Sequence, residues 1–157
     1  MKKLLEKLVV FEVTLKGLAF FSRRKVFDGL TYWLTKQSAR LNIALNKPKA
    51  SEEVAALAEA WQKMMPPDGQ EFFRLAGVDE DTAYTEIHLH CPLRGTGDVK
   101  ACYKLMNYDR NLMKAVGGEL IVLESQSNSG KSFCRLAIRK GGQDNRDLIP
   151  AHKKEGQ

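Results

Sequence analysis

The order of hydropathy patterns predicts an α+β fold, with N-terminal helices followed by strand, helix, strand, strand and a small, mainly antiparallel sheet covered by helices. Three observations carry this. Residues 4–64 repeat apolar side chains every three or four positions, residues 83–91 alternate strictly, and two apolar runs at 119–125 and 132–139 flank a polar connector. A chain of 157 residues with 43% apolar and 28% charged residues is long enough for one core. Residues 1–140 are therefore read as one domain, with a basic helical part at 1–49 and a flexible polar tail at 141–157.

In the first helix, 4–21, Leu4, Leu8, Phe11, Leu15 and Leu18 form one stripe, although Val9-Val10-Phe11 would equally suit a strand. A second helix over 26–45 repeats Phe27, Leu30, Leu34, Leu41 and Leu45, and Pro48 breaks it. Ser51 is placed to cap a third helix to about Met64, because its hydroxyl can accept an orphan backbone N–H. Pro66-Pro67-Asp68-Gly69 ends that helix, and a short helical piece spans 70–76. After the acidic turn Asp79-Glu80-Asp81, the strand 83–91 puts Ala83, Thr85, Ile87, Leu89 and Cys91 on one face. Tyr84, Glu86, His88 and His90 take the other. Asp98 caps a helix running to Val116, and Gly117-Gly118 stops it. The last two runs, joined by 126–131, read as an antiparallel pair.

Charge is unevenly placed. Residues 1–49 hold eleven Lys and Arg against three Asp and Glu, whereas 50–138 hold nine against thirteen. The basic third can attract an anionic surface through its field, but no nucleic-acid motif accompanies it, so no specific nucleic-acid partner is expected. The start imitates a secretory signal, yet Glu6, Lys7, Glu12 and Lys16 interrupt the apolar stretch and prevent a transmembrane span. Three cysteines, an odd number, fit reduced thiols and a cytoplasmic location.

Those cysteines supply the functional argument. Alternation turns Cys91 and Cys134 to buried strand faces, and the stripe Val99, Cys102, Met106, Asp109, Met113, Val116 turns Cys102 inward. Three thiols from three elements then face one layer, with Asp109 as a carboxylate that needs a partner there. Buried cysteine is often plain packing. Three sulfurs with an aspartate or histidine would also suit tetrahedral zinc, although no C-x-x-C pair is present. His88 and His90, at i and i+2 on one strand face, form a second candidate metal pair. As chemistry, Cys102 is the candidate nucleophile and Asp109 the candidate proton carrier.

Other motifs fail on their surroundings. Ser129-Gly130-Lys131-Ser132 ends like a P-loop, but Ser125 stands where the first glycine belongs and a strand follows instead of a helix. No G-x-S-x-G elbow and no dinucleotide fingerprint is present.

The series Cys91-Pro92-Leu93, Cys102, Asp109, Glu124 and Gly130-Lys131-Ser132-Phe133-Cys134 resembles the C-terminal half of the L-2-amino-thiazoline-4-carboxylic acid hydrolase-like family. More distantly it is similar to small-molecule-binding domains of the 4-vinyl reductase type. Lys131 and Leu136 depart from the family's G-D-x-x-C-x-F. The first likeness implies hydrolysis of a cyclic thiazoline-type C–N bond. The second implies an apolar ligand, sometimes with metal-binding cysteines.

Taken together, the expectation is a cytoplasmic small-molecule-binding domain, its ligand held between helix and sheet by Cys91, Cys102, Asp109, Glu124 and Cys134. A hydrolase of a cyclic C–N bond is the second reading. A third is an interaction protein whose amphipathic N-terminal helix docks a partner or another copy of the chain.

Overall fold

The computed structural model describes Lys3 and residues 7–154. Leu4, expected on the first apolar stripe, lies outside the described residues. The elements run α1 (Leu8–Ser22), α2 (Asp28–Asn46), α3 (Val54–Lys63), β1 (Phe73–Val78), β2 (Ala83–Ile87), α4 (Val99–Leu105), α5 (Asn107–Ala115), β3 (Gly118–Glu124) and β4 (Cys134–Lys140). Short 3-10 turns occupy Lys25–Phe27, Pro67–Phe72 and Ala151–Lys153. The fold is α+β, as the patterns predict. Among the described residues, no helix is long and apolar enough to cross a membrane.

The sheet has four antiparallel strands in the order β1-β2-β4-β3. One strand was not foreseen, because residues 70–76, read as a helical piece, contribute the edge strand β1. Only Phe73 of β1 is buried, so its alternation leaves little apolar signal in the sequence. Register places Phe73, Ile87 and Cys134 side by side across β1, β2 and β4. Thr85, Leu136 and Val122 make the next row, and Ala83, Ile138 and Leu120 the third. The strand expected over 83–91 ends at Ile87, and Leu89 and Cys91 follow in the connection to α4.

α3 packs on β1, β2 and β4, while α5 packs on β3. The α1–α2 pair lies against α4 and α5 as an outer layer. Leu8 of α1 rests on Gly69, where a Cβ would come within 2.7 Å of its Cδ1 and push that side chain aside. The Asp98 cap forms as expected, its Oδ1 accepting from the Ala101 N–H at 2.9 Å. Ser51 instead accepts from the Glu53 N–H ahead of the helix, which begins at Val54. The single helix expected to Val116 divides at Met106, where ψ opens to −2°.

Two further corrections concern faces and ends. Along α2 the inward positions are Thr31, Thr35 and Ala39, all at 0% exposure, while Leu30 and Leu41 of the expected stripe stay exposed. Small side chains let α2 close on its neighbours, and that selection outweighed the leucine periodicity. The segment past Gly142, expected to fray, is held through Lys154. Arg139, buried on β4, donates to both Asp147 carboxylate oxygens at 2.6 Å, and Ala151 is buried.

Candidate functional site

A cavity of about 220 Å3 opens between the sheet, the α1–α2 pair and the α4–α5 bend. The row Phe73, Ile87, Cys134 forms one wall, and Cys91 and Cys102 line it as well. The expected convergence of three thiols on one layer is therefore present. Its other walls are mostly apolar, supplied by Phe11 and Leu15 of α1, Met64 and Met65 after α3, and Leu105 and Met106 at the bend.

Asp109 lines the same cavity at 8% exposure. Its Oδ1 accepts from the Trp61 indole N–H at 2.9 Å, and among the described residues no other side chain donates to its Oδ2. Burial pushes its carboxyl up to about 6, against which the Trp61 bond and the neighbouring Arg110 charge work only in part. Asn42 bridges the Met64 carbonyl and the Tyr108 hydroxyl, each at 2.8 Å, which fixes the ring beside Asp109. Among the described residues, the side chains lining this cavity include no Lys, Arg or His.

Among the described residues, each sulfur accepts one protein donor. Ser125 Oγ donates to Cys102 Sγ at 3.1 Å, the Gln126 N–H to Cys134 Sγ at 3.4 Å, and the Leu93 N–H to Cys91 Sγ at 3.4 Å. Burial nevertheless pushes Cys102 up to about 11 and Cys134 up to about 12, and it raises Cys91 despite the Leu93 N–H and Arg94. A nucleophilic thiolate needs the opposite shift. The expected role of Cys102 as nucleophile therefore lacks its electrostatic basis. Alkylation at neutral pH should label half-buried Cys91 first. Cys102, its thiolate fraction about a hundredfold below that of an exposed thiol, and Cys134 should react only once the chain is unfolded. Mass spectrometry of a timed iodoacetamide reaction checks this, and early labelling of Cys102 would contradict it.

The metal candidates do not assemble. Among the described residues, no group of three or more His, Cys, Asp or Glu side chains is arranged to hold a metal ion. His88 gives its Nε2 to Glu86 at 2.8 Å and stacks on Phe133, with ring centroids 5.1 Å apart, while His90 is exposed beyond the end of β2. Glu124, expected among the ligand contacts, lies past the irregularity that shifts the β3–β4 register after Val122. There it pairs with Lys131 at 2.7 Å, away from the cavity lining.

The sequence reading missed Gln126, which it placed in an ordinary polar connector. Gln126 is 1% exposed. Its Nε2 donates to the Leu89 carbonyl at 2.9 Å, while its Oε1 accepts from the Cys91 N–H and from Arg94 Nε. One amide thus ties the β3–β4 connection to the segment that carries Cys91. Trp61 was also missed as a site residue, since a tryptophan amid alanines reads simply as core.

A second cavity of about 230 Å3 is lined by Cys102, Arg110, Glu119 and His152, among others. Arg110 Nη2 donates to the Tyr103 carbonyl at 2.7 Å, and its guanidinium lies 4.0 Å from that ring's centroid.

Compared with known proteins, the chain matches no family model, no curated protein and no solved structure. The likeness to the thiazoline hydrolase-like family accordingly rests on the residues quoted for it.

Proposed function

We propose that the chain binds a small, largely apolar molecule in the cavity lined by the three cysteines, and that Asp109 receives a donor group of that molecule. The observation that carries this reading is a buried carboxylate, with one oxygen committed to Trp61, lining an otherwise mostly apolar cavity. At neutral pH this carboxylate is largely ionised and lacks a directly bonded cation among the described residues. A ligand ammonium, amidinium or hydroxyl would offset that desolvation. An engineered cavity of about 150 Å3 suffices for benzene, so the space suits one ring with a short substituent.

A hydrolase of a cyclic C–N bond is the weaker reading. Its substrate class, a thiazoline carboxylate, brings a negative charge that no cation among the described lining residues meets, and burial holds the thiols protonated. Zinc is weaker still, for want of an assembled ligand set. The free thiols support a reducing, cytoplasmic setting.

Calorimetric titration with benzylamine and with benzoate tests the binding reading. Benzylamine should bind at neutral pH, benzoate at least about tenfold more weakly, a difference of about 1.4 kcal/mol. Asp109→Asn should remove the preference. Equal affinities, or a preference that survives in Asp109→Asn, would count against it.

A further inference from the structure

We propose that the outer face of the α1–α2 pair docks on an anionic lipid surface. The face is apolar where a helix normally faces water. On α1, Val9, Val13 and Phe20 are each more than half exposed, and Lys16 stands among them on the same side at helical spacing. On α2 the inward positions are taken by Thr31, Thr35 and Ala39, so Leu30 and Trp33 point outward, Trp33 at 57% exposure. Val26, in the turn between the helices, is 83% exposed and follows Arg23, Arg24 and Lys25, all of them exposed.

Charge selects the occupant. Residues 1–49 carry eleven basic and three acidic side chains, and of the acids Asp28 is already held by Lys104. A second copy docking by this face would bring two such fields together, and like charges at an interface are repelled. A bilayer rich in acidic headgroups answers both features at once, taking the apolar side chains at the acyl boundary and the Lys and Arg at the headgroups. Tryptophan favours that boundary. Each basic residue near such a surface strengthens partitioning by about fivefold. Lys36 and Arg40, exposed one and two turns beyond Trp33, continue the pattern along α2. Leu41 belongs both to this surface, at 47% exposure, and to the lining of the cysteine cavity, so docking would set an edge of the cavity at the lipid.

The chain has two tryptophans, and Trp61 is fully buried, so an emission shift on adding vesicles reports Trp33. Vesicles of phosphatidylcholine with phosphatidylserine at low salt should shift that emission to the blue and co-sediment the full chain. Binding should weaken at least tenfold at high salt and in the Lys36→Glu, Arg40→Glu double variant, and should be lost in Trp33→Ser. Benzylamine binding should persist in Trp33→Ser, so this proposal and the ligand reading fail separately. Three results would overturn the proposal. One is equal binding to vesicles of phosphatidylcholine alone. Another is a dimer in sedimentation velocity that Trp33→Ser dissolves, which would make a second copy the occupant. The third is binding to polyglutamate with none to the vesicles, which would make it an acidic polypeptide.

Discussion

Replacing Trp61 by alanine is expected to destabilise the fold by about 4 kcal/mol or more. The side chain is fully buried and meets Phe73 edge to face, with centroids 5.9 Å apart. Truncation of a buried tryptophan costs about 3–5 kcal/mol through lost transfer energy and an unfilled cavity. The change also deprives Asp109 of the Trp61 N–H, and a buried acceptor left unmade costs about 1–3 kcal/mol more. Trp61→Phe retains most of the volume and loses chiefly the hydrogen bond, so it should cost about 1–3 kcal/mol. Urea unfolding at neutral pH separates the two. A cost for Trp61→Ala near that of Trp61→Phe would mean that the pocket beneath α3 collapses or was loosely filled.

The second large effect has the opposite sign. Asp109→Asn should stabilise the chain at neutral pH by about 2–3 kcal/mol, since one pKa unit corresponds to about 1.4 kcal/mol. The folded carboxyl titrates at about 6 and the unfolded one at about 4. Between those values the folded chain keeps a proton that the unfolded chain has released, so stability falls as pH rises through the window. Above it the penalty is constant. Asparagine keeps an oxygen for Trp61 and carries no charge, so its advantage should vanish near pH 4 and be full above about pH 7. Denaturant midpoints across that range read the difference. An Asn variant that is less stable than the native chain at neutral pH would show that the ionised carboxylate has a partner in the protein.

A stabilising substitution at a candidate site is informative in itself. Buried charge that weakens a fold is a common mark of sites that bind, because the ligand offsets what the fold leaves uncompensated. The Proposed function thus predicts that Asp109→Asn separates the two properties, gaining stability while losing the preference for benzylamine over benzoate.

The fold was legible where apolar spacing was strong. The inward stripe Cys102, Met106, Asp109, Met113 and Val116 and the pairing of the last two strands emerge directly from period and connector. Legibility failed where burial selects small or polar side chains. The closest contacts of α2 are made by Thr31, Thr35 and Ala39, which carry little hydropathy signal, so the leucine stripe missed its most buried face. β1 is an edge strand with one buried residue, too little for alternation to register. At the site, Cys102 and Asp109 were found because one helical face aligns them and Cys134 because strand alternation turns it inward, while Cys91 reaches the cavity from the connection after β2. Gln126 was not, because a buried amide that satisfies backbone groups in another segment looks like any loop glutamine until the two segments are brought together. Glu124 entered through the family resemblance and not through alternation, and it pairs with Lys131 away from the cavity lining.

The most direct test of a ligand-binding cavity is to locate a bound ring by nuclear Overhauser contacts in the benzylamine complex. The aromatic protons should contact the methyl groups of Met64, Met65 and Met106, and the Trp61 indole N–H resonance should move saturably with the same titration. Contacts confined to Tyr103 and His152 of the second cavity, or an indole resonance unmoved at saturation, would contradict the account.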